Sequence, residues 1–93
     1  MANIVLFNAL TNRYELAVGD HVVFARTRRN GDVLYIDYVE VPPSLRGTGA
    51  AGRFMEGLMG VVRAENLKAV PICSYAASWL RRHGEYHDLM ADS

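Results

Sequence analysis

A chain of 93 residues, 51% apolar and 22% charged, has the composition of one globular domain and excludes both a disordered chain and two independent cores. Ten basic residues balance ten acidic ones, so no overall field draws the chain to nucleic acid or to an anionic membrane, and an anion site has to be built locally. The single cysteine, Cys73, excludes an intrachain disulfide and cysteine-pair metal sites; no apolar run reaches the roughly 18 residues that cross a bilayer, and the N-terminus lacks a secretory leader pattern. The expectation is a cytoplasmic protein in which residues 1–93 form a single domain.

The first half reads as strands and turns. "NIVLFNA" is a short apolar run, "RYELAV" alternates before a "GD" turn, and "HVVFARTRR" follows as a third strand. "NGD" at 30–32 is the strongest hairpin signal, because Asn and Gly tolerate the positive φ of a type I′ turn. It leads into "VLYIDYVEV", whose odd positions Val33, Tyr35, Val39 and Val41 and even positions Leu34, Ile36 and Tyr38 are both apolar, which predicts a central strand covered on both faces. Pro42 and Pro43 stop it. Ala51, Phe54, Met55, Leu58, Val61 and Val62 then share one face of a helix opposite Arg53, Glu56, Gly60 and Arg63, with Asn66 as its stop. "LKAVPIC" predicts a fifth strand at an edge or a bulge because of Pro71, and "SYAASWLRRH" a short helix capped by Ser74 and ended by Gly84. Four strands, helix, strand, helix is a layered α/β or α+β domain.

Between strand and helix, "VPPSLRGTGAAG" places Arg46, Gly47, Thr48, Gly49, Ala50 and Ala51. A helix start leaves backbone N–H groups unpaired and carries a partial positive charge, and small residues let an anion approach them. Arg46 adds a guanidinium suited to a phosphate, and Thr48 a hydroxyl. The glycines also fit a plain tight turn, and the alanines plain close packing. A P-loop is excluded by the missing lysine, and a dinucleotide fingerprint by the antiparallel strands that precede the loop.

The spacing R-x-x-G-x-A, formed by Arg46, Gly49 and Ala51 after a strand ending in "VEV", resembles the GNAT superfamily of acyl-CoA-dependent N-acetyltransferases. The order of elements and the cysteine-bearing turn resemble its small Yjdj-type branch more closely. The resemblance implies a mixed, mainly antiparallel sheet of about five strands with two main helices. It implies that the loop amides of Arg46 to Ala51 hold the pyrophosphate of acetyl-CoA, and that the backbone of Val39 and Val41 pairs with pantetheine at a splayed strand. The implied activity is transfer of acetyl from acetyl-CoA to an amine, a protein lysine or a small amine such as a polyamine, with no metal. An acyl-CoA-binding module with little transferase activity is the alternative.

Acetyl transfer needs a base for the amine and an acid for the leaving thiolate. Glu40 is the best-placed carboxylate, and Asp37 is placed on the other face of the strand. Either also fits a paired strand residue. Where the family carries an acid tyrosine on the last helix, this chain has Leu80, and Cys73 stands in place of the family's asparagine, with Tyr75 close in sequence. Cys73 is thus a candidate to protonate the thiolate or to accept acetyl, or else a small buried hydrophobe. His83, His87 and Asp88 are discounted as a metal set because Gly84 interrupts them and arginines flank them. Arg81 and Arg82 read as a solvated helix face within reach of a CoA 3′-phosphate, and Arg26, Arg28 and Arg29 as solvated edge charges.

Overall fold

The computed structural model describes residues 4–91. Strands β1 (Leu6–Asn8), β2 (Arg13–Val18), β3 (His21–Asn30) and β4 (Val33–Glu40) run antiparallel in chain order. A 3₁₀ turn, Pro43–Leu45, leads to α1 (Ala50–Ala64); β5 (Lys68–Pro71) then pairs parallel to β4, and α2 (Ser74–Arg81) and a 3₁₀ segment, Gly84–Leu89, close the fold. The result is a mixed, mainly antiparallel five-stranded sheet with two main helices, as expected.

The hairpins show local chemistry at work. Asn30 stays in β3 opposite Val33, and only Gly31 of the two loop residues has a positive φ, 62°. That is the type II′ requirement rather than the type I′ turn expected from "NGD". α1 ends in a Schellman motif: Asn66 takes φ 57°, its amide donates to the Arg63 carbonyl, and the Leu67 amide donates to the Val62 carbonyl at 2.9 Å. Asn66 therefore acts as the stop the sequence indicated.

Every buried strand residue faces the same way. Tyr14 and Leu16, Val23 and Ala25, Leu34 and Ile36, and Ala69 meet Ala50, Phe54, Met55, Leu58, Met59 and Val62 of α1 and Ala76, Trp79 and Leu80 of α2 in one core. The inward face of α1 thus starts at Ala50 and includes Met59, whereas the expected Ala51 and Val61 are only half-buried. The opposite face of the sheet, carrying Arg13, Glu15, Phe24, Arg26, Arg28, Tyr35 and Glu40, has no fully buried residue.

Two-sided cover of β4 is therefore corrected to one-sided cover, and the reason is a β-bulge. Arg26 pairs with Tyr38 but Thr27 pairs with Ile36, so Asp37 is an extra residue on β4. Before it, Leu34 and Ile36 point to the core; after it, Val39 and Val41 do, and Tyr38 is turned out. Both parities of β4 are apolar because the inward parity switches at Asp37. β3 is the middle strand, so Arg26 and Arg28 are charges on the open face rather than edge charges. The edges are β1 and β5, and Pro71 ends β5 as an edge position allows.

Candidate functional site

The strand-to-helix loop is built around two left-handed glycines. Gly47 has φ 81° and Gly49, at the N-cap of α1, has φ 85°, a region where a side chain is strained. The Thr48 hydroxyl donates to the Leu45 carbonyl at 2.5 Å and accepts from the Ala50 amide at 3.3 Å, so it fastens the loop internally instead of facing a ligand. Among the described residues, the amides of Gly47, Gly49, Ala51 and Gly52 have no protein acceptor. Four unpaired N–H groups at one helix start form a nest for an anion.

Val41, Leu45, Arg46, Gly47, Gly49, Ala50, Ala51, Gly52 and Tyr75 line one cleft of about 220 Å³ between the end of β4, this loop and α2. Leu45, Gly52 and Tyr75 enter this set unannounced by the motif; Tyr75 comes from the first turn of α2, which folds back against α1 through Gly52 and Trp79. A Cβ on Gly47 would meet no protein atom within 4 Å, so the space in front of the loop is open. Arg46 is exposed, donates from Nε to the Val41 carbonyl at 3.3 Å and places a terminal nitrogen 3.9 Å from Glu40. The residues present fit a pyrophosphate: unpaired amides, no bulk, and one guanidinium at the rim.

β4 and β5 part beside this cleft. Their pairing ends at Ile36 and Pro71, and the Ile72 and Cys73 amides both donate to the Ile36 carbonyl, at 3.0 and 2.9 Å. β4 continues to Glu40 with only β3 beside it. Val39 and Val41 lie on this unpaired stretch, half-buried against the core. Cys73, half-buried and free, occupies the N-cap position of α2, where no side chain caps the helix; the cap expected from Ser74 is absent, Ser74 being the first helical residue.

The open face of the same strand carries the carboxylates. Asp37 is held by Arg28 in a two-pronged bond, Nε to Oδ2 at 2.7 Å and Nη2 to Oδ1 at 2.9 Å, which keeps its carboxyl below the usual range. The bulge sets Asp37 on the same face as Glu40, not the opposite one as expected. Glu40 accepts a hydrogen bond from the Tyr38 hydroxyl. That bond, followed by the Glu40 charge, raises the Tyr38 pKa. Tyr75 is raised mainly by burial. The Tyr38 and Glu40 pairing was legible as an i, i+2 spacing on one strand face.

The remaining candidates fall outside this arrangement. Leu80 is 2% exposed and belongs to the core, so no acid acts from that position. His83 stacks on Trp79 at 3.8 Å and bonds the Trp79 carbonyl, His87 bonds the Leu80 carbonyl, and Asp88 pairs with Arg63. The two histidines thus satisfy the last carbonyls of α2. Among the described residues no group of His, Cys, Asp or Glu could hold a metal ion. No helix of the structure is long and apolar enough to cross a membrane.

The fold is a one-sided α+β domain with a split between its parallel strands and unpaired amides at the start of the helix that follows β4. The family model described as GCN5-related N-acetyl-transferase matches residues 13–89, and the chain belongs to that family. The chain is also similar in fold to a GCN5-like protein from Staphylococcus aureus solved in solution by NMR, with a TM-score of 0.73 and 21% identity over 100% of this chain and 93% of that one. Among curated proteins no match was found.

Proposed function

We propose that the protein transfers acetyl from acetyl-CoA to an amine presented on the uncovered face of the sheet. The observation that carries this reading is one cleft lined by Arg46, Gly47, Gly49, Ala51 and Gly52, four of which have amides without a protein acceptor. The pyrophosphate binds there, Val39 and Val41 offer backbone to pantetheine in the split between β4 and β5, and the thioester emerges near Cys73 and Glu40. Glu40 serves as the base for the amine, since Asp37 is occupied by Arg28. β1 and β2 are joined only by the turn at 9–12, so no helix walls the acceptor side, which suits a protein lysine or an extended polyamine.

Acetyl-CoA is expected to raise the melting temperature of the wild type. Arg46→Ala removes one charge-assisted bond, about 1.5–3 kcal/mol, and weakens binding about 10- to 100-fold. No thermal shift with acetyl-CoA in the wild type rejects the reading. A covalent step through Cys73 predicts one added acetyl by intact mass, lost in Cys73→Ala.

The buried Leu80 favours a second reading, an acyl-CoA-binding module with little turnover. It predicts a thermal shift without release of free CoA to any amine.

A further inference from the structure

We propose that Tyr38 is a catalytic residue: its hydroxyl relays the proton of the acceptor amine to Glu40 and returns a proton to the leaving sulfur. The proposal rests on the acetyl-transfer reading above and adds to it a residue that neither motif nor family position singles out.

The geometry comes from the bulge. With regular alternation Tyr38 would follow Leu34 and Ile36 into the core; the extra residue Asp37 turns it onto the open face, where it is 47% exposed. A large aromatic side chain is thereby held at the surface with its hydroxyl donating to the Glu40 carboxylate. The neighbouring carboxylate is unavailable, because Asp37 is engaged by both prongs of Arg28. Arg46, 3.9 Å from the other Glu40 oxygen, ties this pair to the rim of the loop cleft. Tyr38 lies two residues past Ile36, whose carbonyl receives the Cys73 amide where β5 leaves β4. Tyr38 thus lies on the open face of the stretch of β4 that β5 no longer flanks, the face to which the acetyl-transfer reading brings the amine. Its hydroxyl has one acceptor, Glu40, and solvent before it.

In the transfer, the amine nitrogen forms a bond to the acetyl carbon and the bond from that carbon to sulfur breaks. The nitrogen gives its proton to the Tyr38 oxygen as the tyrosine proton passes to Glu40. The carboxyl then returns a proton through the same hydroxyl to the thiolate, so that amide and free thiol leave and both residues regain their starting forms. One Glu40 oxygen accepts from Tyr38 and the other lies 3.9 Å from Arg46, so in the relay Tyr38 carries the proton between the amine and the carboxylate. If acetyl passes through Cys73 first, the same relay serves the step in which the amine attacks.

The test uses full-length wild type, Tyr38→Phe and Glu40→Gln, with acetyl-CoA and two probe amines, spermidine and a lysine-bearing peptide. Free CoA is followed with a thiol reagent and acetyl-CoA binding by thermal shift. General acid–base groups contribute about 100- to 10,000-fold. Tyr38→Phe should therefore lose at least about 100-fold in kcat while the thermal shift with acetyl-CoA stays as in the wild type, and its residual rate should rise with pH as hydroxide replaces the relay. Tyrosine ionisation followed by ultraviolet absorbance should begin at lower pH in Glu40→Gln, a readout that needs no turnover. The relay is overturned if Tyr38→Phe releases CoA as fast as the wild type, or if a wild type that binds acetyl-CoA acetylates neither probe. Absence of acetyl-CoA binding by the wild type instead rejects the acetyl-transfer reading itself.

Discussion

Gly49→Ala isolates the backbone strain on which the candidate anion loop depends. Gly49 has φ 85° and ψ 3° at the N-cap of α1, and a Cβ there would lie 3.8 Å from the tip of Arg53, an ordinary contact. No clash accompanies the change, so its cost is that of a left-handed non-glycine residue, about 1–2 kcal/mol. Gly60 offers the opposite case within the same helix. It is exposed, a Cβ meets nothing within 4 Å, and its φ is not positive, so Gly60→Ala stabilises by about 0.5–1 kcal/mol through helix propensity. For a domain of this size 1 kcal/mol moves the melting temperature by about 4–8 °C. The two variants should melt on the order of 10 °C apart, one below and one above the wild type, in thermal denaturation followed by circular dichroism. Equal shifts, or a neutral Gly49→Ala, would show that the left-handed turn is not required and would refute the loop geometry.

Other outcomes follow from packing and charge. Phe54→Ala removes a fully buried ring at the centre of the core and should cost about 3–5 kcal/mol, read as a lower urea midpoint, with Phe54→Leu losing less. Asp37, held by Arg28, and Asp88, held by Arg63, have folded pKa values below their ordinary ones, and Glu15 is lowered mainly by bonds from Asn8 and Arg13. Their contribution is complete above the ordinary carboxyl range and is lost as pH falls through the lowered folded values. The urea midpoint should therefore drop below about pH 4, less steeply in Asp37→Asn, and high salt should flatten the profile because the Asp37 and Asp88 pairs are exposed. Asn66→Ala forces a left-handed residue at the end of α1 and should lower the melting temperature, with Asn66→Gly close to neutral.

The chain order of elements, the strand-to-helix loop and the stop at Asn66 were legible because each depends on local chemistry: alternation, proline pairs, glycines and an asparagine that tolerates positive φ. The phase of α1 was less so. Ala50, Ala51, Met59 and Val61 are all apolar, and which of them turn inward depends on where the helix begins, which the Gly49 cap decides. Two-sided cover of β4 failed for another reason. A bulge leaves no mark in composition, and the apolar residues of opposite parity on its two sides imitate a strand buried on both faces. Thr48 was read as a ligand for an anion because a hydroxyl beside glycines suits one; its proton goes to the Leu45 carbonyl because the 3₁₀ turn brings that group nearer.

The bulge also decides where chemistry is possible. Leu80 is buried and carries no acid, which leaves Tyr75 at the first turn of α2, the turn before it and the sheet as places for a group that handles protons. On the sheet, unbroken alternation from Leu34 and Ile36 would place both Tyr38 and Glu40 inward. The added residue at Asp37 turns Tyr38 outward beside Glu40 and directs Val39 and Val41 toward the core at the split. It occupies Asp37 with Arg28 at the same point, so one carboxylate is fixed and the other stays available. Deleting Asp37 should therefore do more than remove a surface ion pair. It should restore regular pairing along β4 with Tyr38 still opposite Arg26 and facing out, and so keep amine-dependent CoA release. Asp37→Asn, which keeps the bulge but weakens the pair, should keep most of that activity. Loss of release in the deletion alone would show that the local twist of the bulge, and not the facing of Tyr38 alone, sets the pair with Glu40.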